Sequence, residues 1–193
     1  MIELYAWGTT NGRRPLIILE EAQIPYKLIP TDIHTGANKT PDYLKISPFG
    51  KIPSMVDTEG PGGARVSLFE STAILLYLAE KSGKFMGSKP AEKPDVIKWL
   101  QFASATVLPL FQLMRTYKEV EAAGAKPLDV LDQQLASSEF LAGSYSIADM
   151  ALITRLASIA KEHWVTDRAS LKRWVVSCTA RPATKKALEM KVG

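Results

Sequence analysis

The sequence predicts two domains, an α/β domain at the N-terminus followed by an all-helical domain. Up to residue 83, short apolar runs of strand length alternate with segments of helical periodicity. Beyond residue 95, every apolar segment repeats with helical spacing. Residues 84–94 collect glycine, proline and charged residues, which is typical of a linker. We therefore predict domains over residues 1–83 and 95–193, joined by the linker 84–94.

The first half of the α/β domain reads as a strand, a helix and a second strand. Ile2, Leu4 and Ala6 alternate with other residues, as in a strand with one buried face. Pro15 stands early in the next segment, where proline is tolerated in the first turn of a helix. Residues 26–29 follow as a second short strand, which completes a β-α-β unit.

The second half of this domain reads as two strands and a helix. After a polar loop over 31–40, residues 41–46 suggest a short helix or turn. Residues 52–69 predict a hairpin. Ser71 is a good N-cap for the helix that follows, and Gly83 ends that helix. The predicted order is therefore β-α-β, a loop, and β-β-α.

The C-terminal domain is predicted to contain helices alone. A long helix starts near Val96 and contains Pro109, which should kink it. Ser146 begins another helix, and Asp149 completes a capping box with it. We interpret Asp149 as part of this folding device rather than as a catalytic acid. Further helices are predicted over residues 128–135, 171–178 and after Pro182.

The composition excludes several classes of protein. The chain has 193 residues, of which 46% are hydrophobic and 23% charged, so it is neither disordered nor a disulfide scaffold. Cys178 is the only cysteine, which excludes a Cys-x-x-Cys redox pair and a zinc site built on thiolates. Because His34 and His163 lie far apart in the sequence, we expect no metal.

Charge and hydropathy limit the partners. The net charge of +4 comes from scattered basic residues, whereas a nucleic-acid-binding protein usually clusters them. No stretch of about 18 apolar residues lacks a charge, so we expect no membrane span. The N-terminal residues, MIELYAWG, lack the pattern of a signal peptide. We therefore expect a cytoplasmic protein that binds neither nucleic acid nor a membrane.

Three short segments of the first domain point to a ligand. The first is Ile52-Pro53, at the start of a predicted strand. If this peptide bond is cis, the backbone N–H and C=O of Ile52 face outward and can pair with an extended, peptide-like ligand. Spacing alone favours the alternative, a trans proline that starts a strand, because cis bonds are rare.

The other two segments lie where helices begin. Glu70 and Ser71 stand at a strand-to-helix junction, where the helix N-terminus attracts a carboxylate and Glu70 can hold an ammonium. They suit an amino-acid head group, and a plain helix cap is the alternative. Residues 9–12 (TTNG) precede the first helix, whose N-terminus favours an anion such as a thiolate. The alternative here is a polar turn.

Three motifs, in this order and spacing, resemble the glutathione transferase family. They are residues 47–53 (SPFGKIP), 68–78 (LFESTAILLYL) and 145–149 (YSIAD). The resemblance covers nearly the whole chain, and the opening with residues 9–12 looks most like bacterial members of the Nu type and the fungal Ure2-like proteins. It implies a thioredoxin-like first domain, a helical second domain and a homodimer. It also implies glutathione as co-substrate and no metal.

The resemblance implies which residues contact the thiol of glutathione. Thr9 is expected to donate a hydrogen bond to the sulfur and to favour the thiolate, and Asn11 is expected to assist from the start of the helix. Tyr5 is the alternative donor, since other classes of the family use a tyrosine. A cysteine-type enzyme is disfavoured because Cys178 lies in a late helix and suits a buried core position.

The resemblance also implies which residues bind the rest of glutathione. Pro53 would be the cis proline, and the backbone of Ile52 would pair with the cysteinyl part. Glu70-Ser71 would bind the γ-glutamyl end. Lys51 and Asn38 would reach toward the glycine carboxylate.

The implied activity follows from the thiolate of glutathione. The thiolate can attack an electrophilic carbon to form a conjugate, or attack a disulfide and exchange thiols. The Nu-type opening favours disulfide reduction as the main reaction of this transferase, with a small disulfide or electrophile as the second substrate. Peroxidase activity on organic hydroperoxides is a third reaction of the same thiolate. The alternative from another class is a non-catalytic glutathione-binding, scaffold or regulatory protein of the same fold.

The resemblance places the second-substrate pocket between the domains. The residues expected to form its wall are Trp7, Phe102, Phe111, Arg115, Tyr117 and Trp164. The alternative is that most of these side chains simply pack in the cores of helices. The stretch between Met114 and Leu128 is short for the family, so we expect an open pocket.

Overall fold

The fold is known from a computed structural model that describes residues 1–114 and 121–192, with the side chains of 121–124 left out. It divides into two compact units. The first contains Met1–Ser82 and the segment from Pro182 onward, and the second contains Gly83–Arg181. The first unit is α/β and the second is helical, which confirms the predicted fold class.

The first unit is built on a four-stranded mixed sheet in the order β2-β1-β3-β4. The strands are β1 (Ile2–Ala6), β2 (Tyr26–Pro30), β3 (Ser54–Asp57) and β4 (Val66–Phe69). β1 pairs in parallel with β2 and antiparallel with β3, and β3 pairs antiparallel with β4. A parallel pair needs a crossover connection, and the helix α1 (Thr10–Ala22) provides it. This confirms the predicted β-α-β and β-β-α order.

Helices α1 and α3 (Ser71–Ser82) cover one face of the sheet, and the short helix α2 (Pro41–Ile46) lies on the other face. Leu4 and Ala6 are fully buried beneath α1 and α3, which pack against each other. Because side chains alternate along a strand, Tyr5 points to the opposite face, where its ring contacts Tyr43 of α2.

The described residues of the second unit are mainly helical. The helices are α4 (Lys93–Phe102), α5 (Leu108–Met114), α6 (Glu121–Ala136), α7 (Ile147–Ser158), α8 (His163–Thr166) and α9 (Ala169–Thr179). A π-helical turn, Ala103–Val107, joins α4 to α5 directly before Pro109. Proline lacks the N–H that would bond to the previous turn, so the interruption lies where the sequence predicts a kink.

The stretch Pro90–Met114 bears on the expectation of no membrane span. By length and composition alone, these 25 residues could cross a membrane. Within this segment, 33% of the apolar 18-residue stretch is buried inside the protein, and core helices of other proteins have similar length and composition. Length and composition therefore do not separate a membrane span from a core helix here.

The capping box predicted at Ser146 and Asp149 is present and buried. The Asp149 carboxylate accepts from the Ser146 N–H at 3.0 Å, and Ser146 Oγ accepts from Ala148 N–H at 3.3 Å. Asp149 also accepts from Trp174 Nε1 at 2.8 Å and from Leu141 N–H at 3.1 Å, which joins α7 to α9. Burial raises the pKa of Asp149 to about 6 although these bonds act in the opposite direction. The contacts are those of a folding element.

The terminal helix α10 (Pro182–Glu189) packs on α1 in the first unit, although the prediction placed residues 95–193 together. Arg13 donates to the C=O of Ala187 at 2.7 Å, and Lys186 forms a 2.7 Å ion pair with Glu20. Helical periodicity shows that α10 has an apolar face but not which partner covers it. The predicted linker 84–94 likewise belongs to the second unit by its contacts.

Candidate functional site

The turn between β1 and α1 presents a threonine hydroxyl at the start of a 13-residue helix. Thr9 is the N-cap of α1, and its Oγ1 accepts from the Gly12 N–H at 3.0 Å. Because Thr9 is the acceptor in this bond, its own hydroxyl hydrogen remains available to donate. The side chain is half-buried, so a ligand at the mouth of the helix can reach it.

The first backbone N–H groups of α1 add to this anion site. Thr10 and Asn11 are the first two residues of the helix, where N–H groups have no intrahelical acceptor. A Cβ on Gly12 would lie 2.3 Å from the Trp7 carbonyl oxygen, so only glycine allows the turn to close this tightly. The helix N-terminus and the Thr9 hydroxyl together favour a negatively charged ligand atom such as a thiolate.

Tyr5, the alternative thiol donor, contacts helix α2. Its ring centroid is 6.0 Å from that of Tyr43, on the sheet face away from α1. Burial, and secondly the charge of Glu3, raise the pKa of Tyr5, which makes its hydroxyl a poorer acid. Which of Tyr5 and Thr9 meets the thiol therefore stays a prediction.

The segment before β3 offers backbone groups to a ligand. The Ile52–Pro53 peptide bond is cis. The neighbouring Lys51 C=O accepts from Tyr43 Oη at 2.7 Å and from Ser47 Oγ at 2.9 Å, so the loop is held from behind. Within residues 1–114 and 121–192, no hydrogen bond engages the N–H or C=O of Ile52. These two groups are placed to pair with an extended ligand, as strand addition requires.

The junction of β4 and α3 carries an unusual backbone conformation. Glu70 has a φ of 72°, in the left-handed region that residues other than glycine rarely adopt, and its side chain is exposed. Such conformations cluster at functional sites. Ser71 is the first residue of α3, and its Oγ accepts from Arg14 Nη1 at 3.0 Å, a different use from the predicted helix cap.

Two lysines lie at the loop around Gly50. Asn38 is only 6% exposed, and its Nδ2 donates to the Gly50 C=O at 2.7 Å, so the amide holds the loop and is turned away from solvent. Lys51 is exposed, and its Nζ lies 5.4 Å from the centroid of the Phe49 ring. A Cβ on Gly50 would lie 2.8 Å from Lys39 Nζ, so the ammonium of Lys39 lies beside the backbone of Gly50.

Two residues of the candidate site, Lys39 and Arg14, were not predicted from the sequence. Lys39 stands in a polar loop where nothing in the pattern distinguishes it from other surface lysines. Arg14 stands in a helix whose other inward-facing residues are apolar, and an arginine among them was the available signal. Thr9, Ile52 and Ser71 were predicted from the sequence as ligand contacts, and these roles stay predictions.

Part of the predicted second-substrate wall can be located. Phe111 and Trp164 are buried within the second unit, and Phe102 packs edge to face with Trp99 at 5.6 Å. Arg115 and Tyr117 lie outside the described residues, as does the whole stretch 115–120 between Met114 and α6. The wall therefore stays a prediction. Among the residues that are described, no group of three or more His, Cys, Asp or Glu could hold a metal ion.

Comparison with known proteins identifies the class. A sequence profile of the glutathione S-transferase N-terminal domain matches residues 10–81. The chain is 34% identical to the disulfide-bond oxidoreductase YfcG of Escherichia coli K12, over 97% of this chain and 94% of that protein. It is 30% identical to glutathione S-transferase F10 of Arabidopsis thaliana, over 96% and 95% of the two chains. The chain belongs to the glutathione S-transferase family.

Solved structures show the same fold. A glutathione transferase from Pseudomonas putida with one glutathione disulfide bound per subunit aligns with a TM-score of 0.90 at 29% identity, covering 98% of this chain and 91% of that one. A family member from Pseudomonas fluorescens with two glutathione bound also aligns with a TM-score of 0.90, at 32% identity, covering 97% and 92%. These likenesses extend over both units.

Proposed function

We propose that this protein is an enzyme that binds glutathione in its first unit and uses the thiolate to reduce disulfide bonds, with conjugation to electrophiles as a second reaction. The observation that carries the proposal is the Thr9 hydroxyl, which is oriented by Gly12 N–H and free to donate at the mouth of α1. The related disulfide-bond oxidoreductase and the related structures that contain glutathione or its disulfide support it.

Glutathione binding uses both backbone and side-chain groups. The N–H and C=O of Ile52, next to Pro53, pair with the cysteinyl residue. The Glu70 carboxylate takes the ammonium of the γ-glutamyl group, and Ser71 with the first N–H groups of α3 takes its carboxylate. At the other end of the tripeptide, an exposed ammonium binds the glycine carboxylate, and Lys51 supplies it.

Two further residues act on the same glycine end. Lys39 supplies a second ammonium group that binds the glycine carboxylate of glutathione, because its Nζ lies beside Gly50. Asn38 supports the loop from the inside through its bond to the Gly50 C=O, rather than touching the ligand as the resemblance implies.

The thiol is activated at the start of α1. Thr9 donates its hydroxyl hydrogen to the sulfur, and Asn11 adds a donor on the solvent side. A cysteine thiol has a pKa of about 8.5, so about 3% is thiolate at pH 7; lowering the pKa by about one unit raises that fraction to about 24%. The thiolate is the nucleophile, so the rate at neutral pH rises with this fraction, although less than in proportion because a thiolate of lower pKa is a weaker nucleophile.

Disulfide reduction then proceeds by two exchanges. The glutathione thiolate attacks one sulfur of the substrate disulfide, which forms a mixed disulfide and releases one substrate thiolate. A second glutathione attacks the mixed disulfide at the glutathione sulfur, which yields glutathione disulfide and the second substrate thiolate; both leaving thiolates take a proton from solvent. The protein needs no cysteine of its own in these steps, and Cys178 is buried in the second unit.

The test combines binding with turnover. Calorimetry should detect heat on titration with glutathione, and the protein should accelerate reduction of a small disulfide such as 2-hydroxyethyl disulfide by glutathione. Binding without turnover would favour the scaffold alternative. If the protein shows neither heat on titration nor turnover, the proposal is refuted. Turnover with an organic hydroperoxide, measured in parallel, decides whether peroxidase activity accompanies it.

We also propose a cytoplasmic homodimer. Phe49 is 72% exposed and Phe69 is 43% exposed, both in the first unit, and large apolar side chains of this kind mark interaction surfaces. A cytoplasmic location supplies the reduced glutathione that the reaction consumes. Sedimentation of the parent chain and of Phe49→Asp tests the assembly: a dimer that Phe49→Asp dissociates is expected, and a monomeric parent chain would refute it.

A further inference from the structure

A buried hydrogen bond links the helix that carries the thiol site to the corner that receives the γ-glutamyl group. Arg14 lies one turn after the start of α1 and is 2% exposed; Ser71 begins α3 and is 8% exposed. Arg14 Nη1 donates to Ser71 Oγ at 3.0 Å. The two residues are 57 positions apart in the sequence.

The chemistry of this bond fixes the role of the serine. A guanidinium has only donors, so Ser71 Oγ is the acceptor. One lone pair of the hydroxyl is therefore occupied, and its single hydrogen must point away from Arg14. A hydroxyl held in this way can donate to a carboxylate on the ligand side, whereas a second donor such as an ammonium has to compete for the remaining lone pair.

We propose that Arg14 is a positioning residue, which turns the Ser71 hydroxyl into a dedicated donor for the α-carboxylate of the γ-glutamyl group. The ammonium of the same group is left to the exposed Glu70 carboxylate, so the two residues together fix which way the amino-acid head binds. This inference rests on the proposed function. It repeats the device at the thiol end, where Gly12 N–H occupies a lone pair of Thr9.

The test compares two thiols that differ in one group. KM is measured in the disulfide reduction assay for glutathione and for 4-aminobutanoyl-cysteinylglycine, which lacks only the α-carboxylate. Arg14→Met should raise KM for glutathione by roughly tenfold, the size expected for one hydrogen bond to a charged group, and should leave kcat and the analogue's KM within about twofold. Arg14→Lys, which keeps one donor, should fall between the parent chain and Arg14→Met.

The matched control is Arg13→Met on the same helix. Arg13 bonds to the carbonyls of Ala187 and Leu188, so its loss should leave the ratio of the two KM values unchanged. A parent chain that uses neither thiol would refute the proposed function itself. A parent chain that uses both, with Arg14→Met changing both KM values equally or neither, would overturn the role of Arg14 alone.

A second variant keeps the test decisive if Arg14→Met does not fold. Arg14→Lys is then compared in the parent chain and in Ser71→Ala. Because Arg14 acts through the Ser71 hydroxyl, Arg14→Lys should lower the preference for glutathione in the parent chain and have no further effect in Ser71→Ala. An equal loss in both backgrounds would contradict the proposal.

Discussion

Replacing Thr9 by valine tests how the thiol is activated. The substitution removes the hydroxyl and keeps the branched shape of the side chain. Two hydrogen bonds are lost, one accepted from Gly12 N–H at 3.0 Å and one donated to the sulfur of glutathione. The first caps α1, so its loss should lower the free energy of unfolding by about 1 kcal/mol.

The second bond sets the pKa of the bound thiol. A hydrogen bond to a charged group contributes about 1.5–3 kcal/mol, which corresponds to a rise of roughly one to two units in the pKa when the bond is lost. Activity rises with pH as the bound thiol ionises, so a lower thiol pKa moves this rise to lower pH. The rising limb of kcat/KM in Thr9→Val should therefore move to higher pH by at least about one unit, and the thiolate fraction at pH 7 should fall about eightfold.

The assay is kcat/KM for the disulfide substrate at saturating glutathione as a function of pH, which reports the pKa of the bound thiol, together with the ultraviolet absorbance of the bound thiolate. Thr9→Ser keeps the hydroxyl and the cap, so its pH profile should match that of the parent chain. A Thr9→Val profile with an unshifted rising limb would refute the role of Thr9 and move it to the N–H groups of α1. Equal impairment in Thr9→Ser would show that the methyl group, not the hydroxyl, matters.

Three further predictions concern stability and the glycine end of glutathione. Asp149→Ala leaves several buried donors without an acceptor, so urea denaturation should show a loss of about 3–5 kcal/mol, with glutathione contacts untouched. Gly50→Ala combines a φ of 65° with a Cβ 2.9 Å from the backbone carbonyl oxygen of Asn38, whereas Gly62→Ala, at a φ of 66°, has open space. Thermal denaturation should therefore show the larger loss for Gly50→Ala, and equal losses would contradict the crowding. Lys39→Met and Lys51→Met should each raise KM for glutathione by about twofold to fivefold in a salt-dependent manner, and should not change KM for glutathione amidated at its glycine carboxylate.

Much of the fold follows from periodicity that is visible in the sequence. The alternation at Leu4 and Ala6 predicts β1 because every second residue of a strand faces the core. Ser146 and Asp149 predict a helix start because the two side chains need only their own backbone as partners. The position of α10 could not be predicted, because its partners on α1 lie far away in the chain and many apolar faces could have covered it.

The candidate site divides in the same way. Thr9, Ile52 and the Glu70-Ser71 corner were predicted because each stands at the end of an element, where backbone groups are unpaired. Tyr5 was kept as an alternative thiol donor because the sequence does not show which face of β1 turns to the ligand. The contact with Tyr43 places its ring on the sheet face that α2 covers, and its role stays a prediction.

The order of strands and helices along the chain, and the prediction of three segments that meet a ligand, came from the sequence alone, since each depends on residues that are neighbours in the chain. Only the tertiary structure shows that Arg14 donates a hydrogen bond to Ser71 and that Lys39 stands beside Gly50. These are contacts between side chains on different elements. Their formation depends on how α1 packs on α3 and how the loop closes, and a periodic pattern carries no information about either.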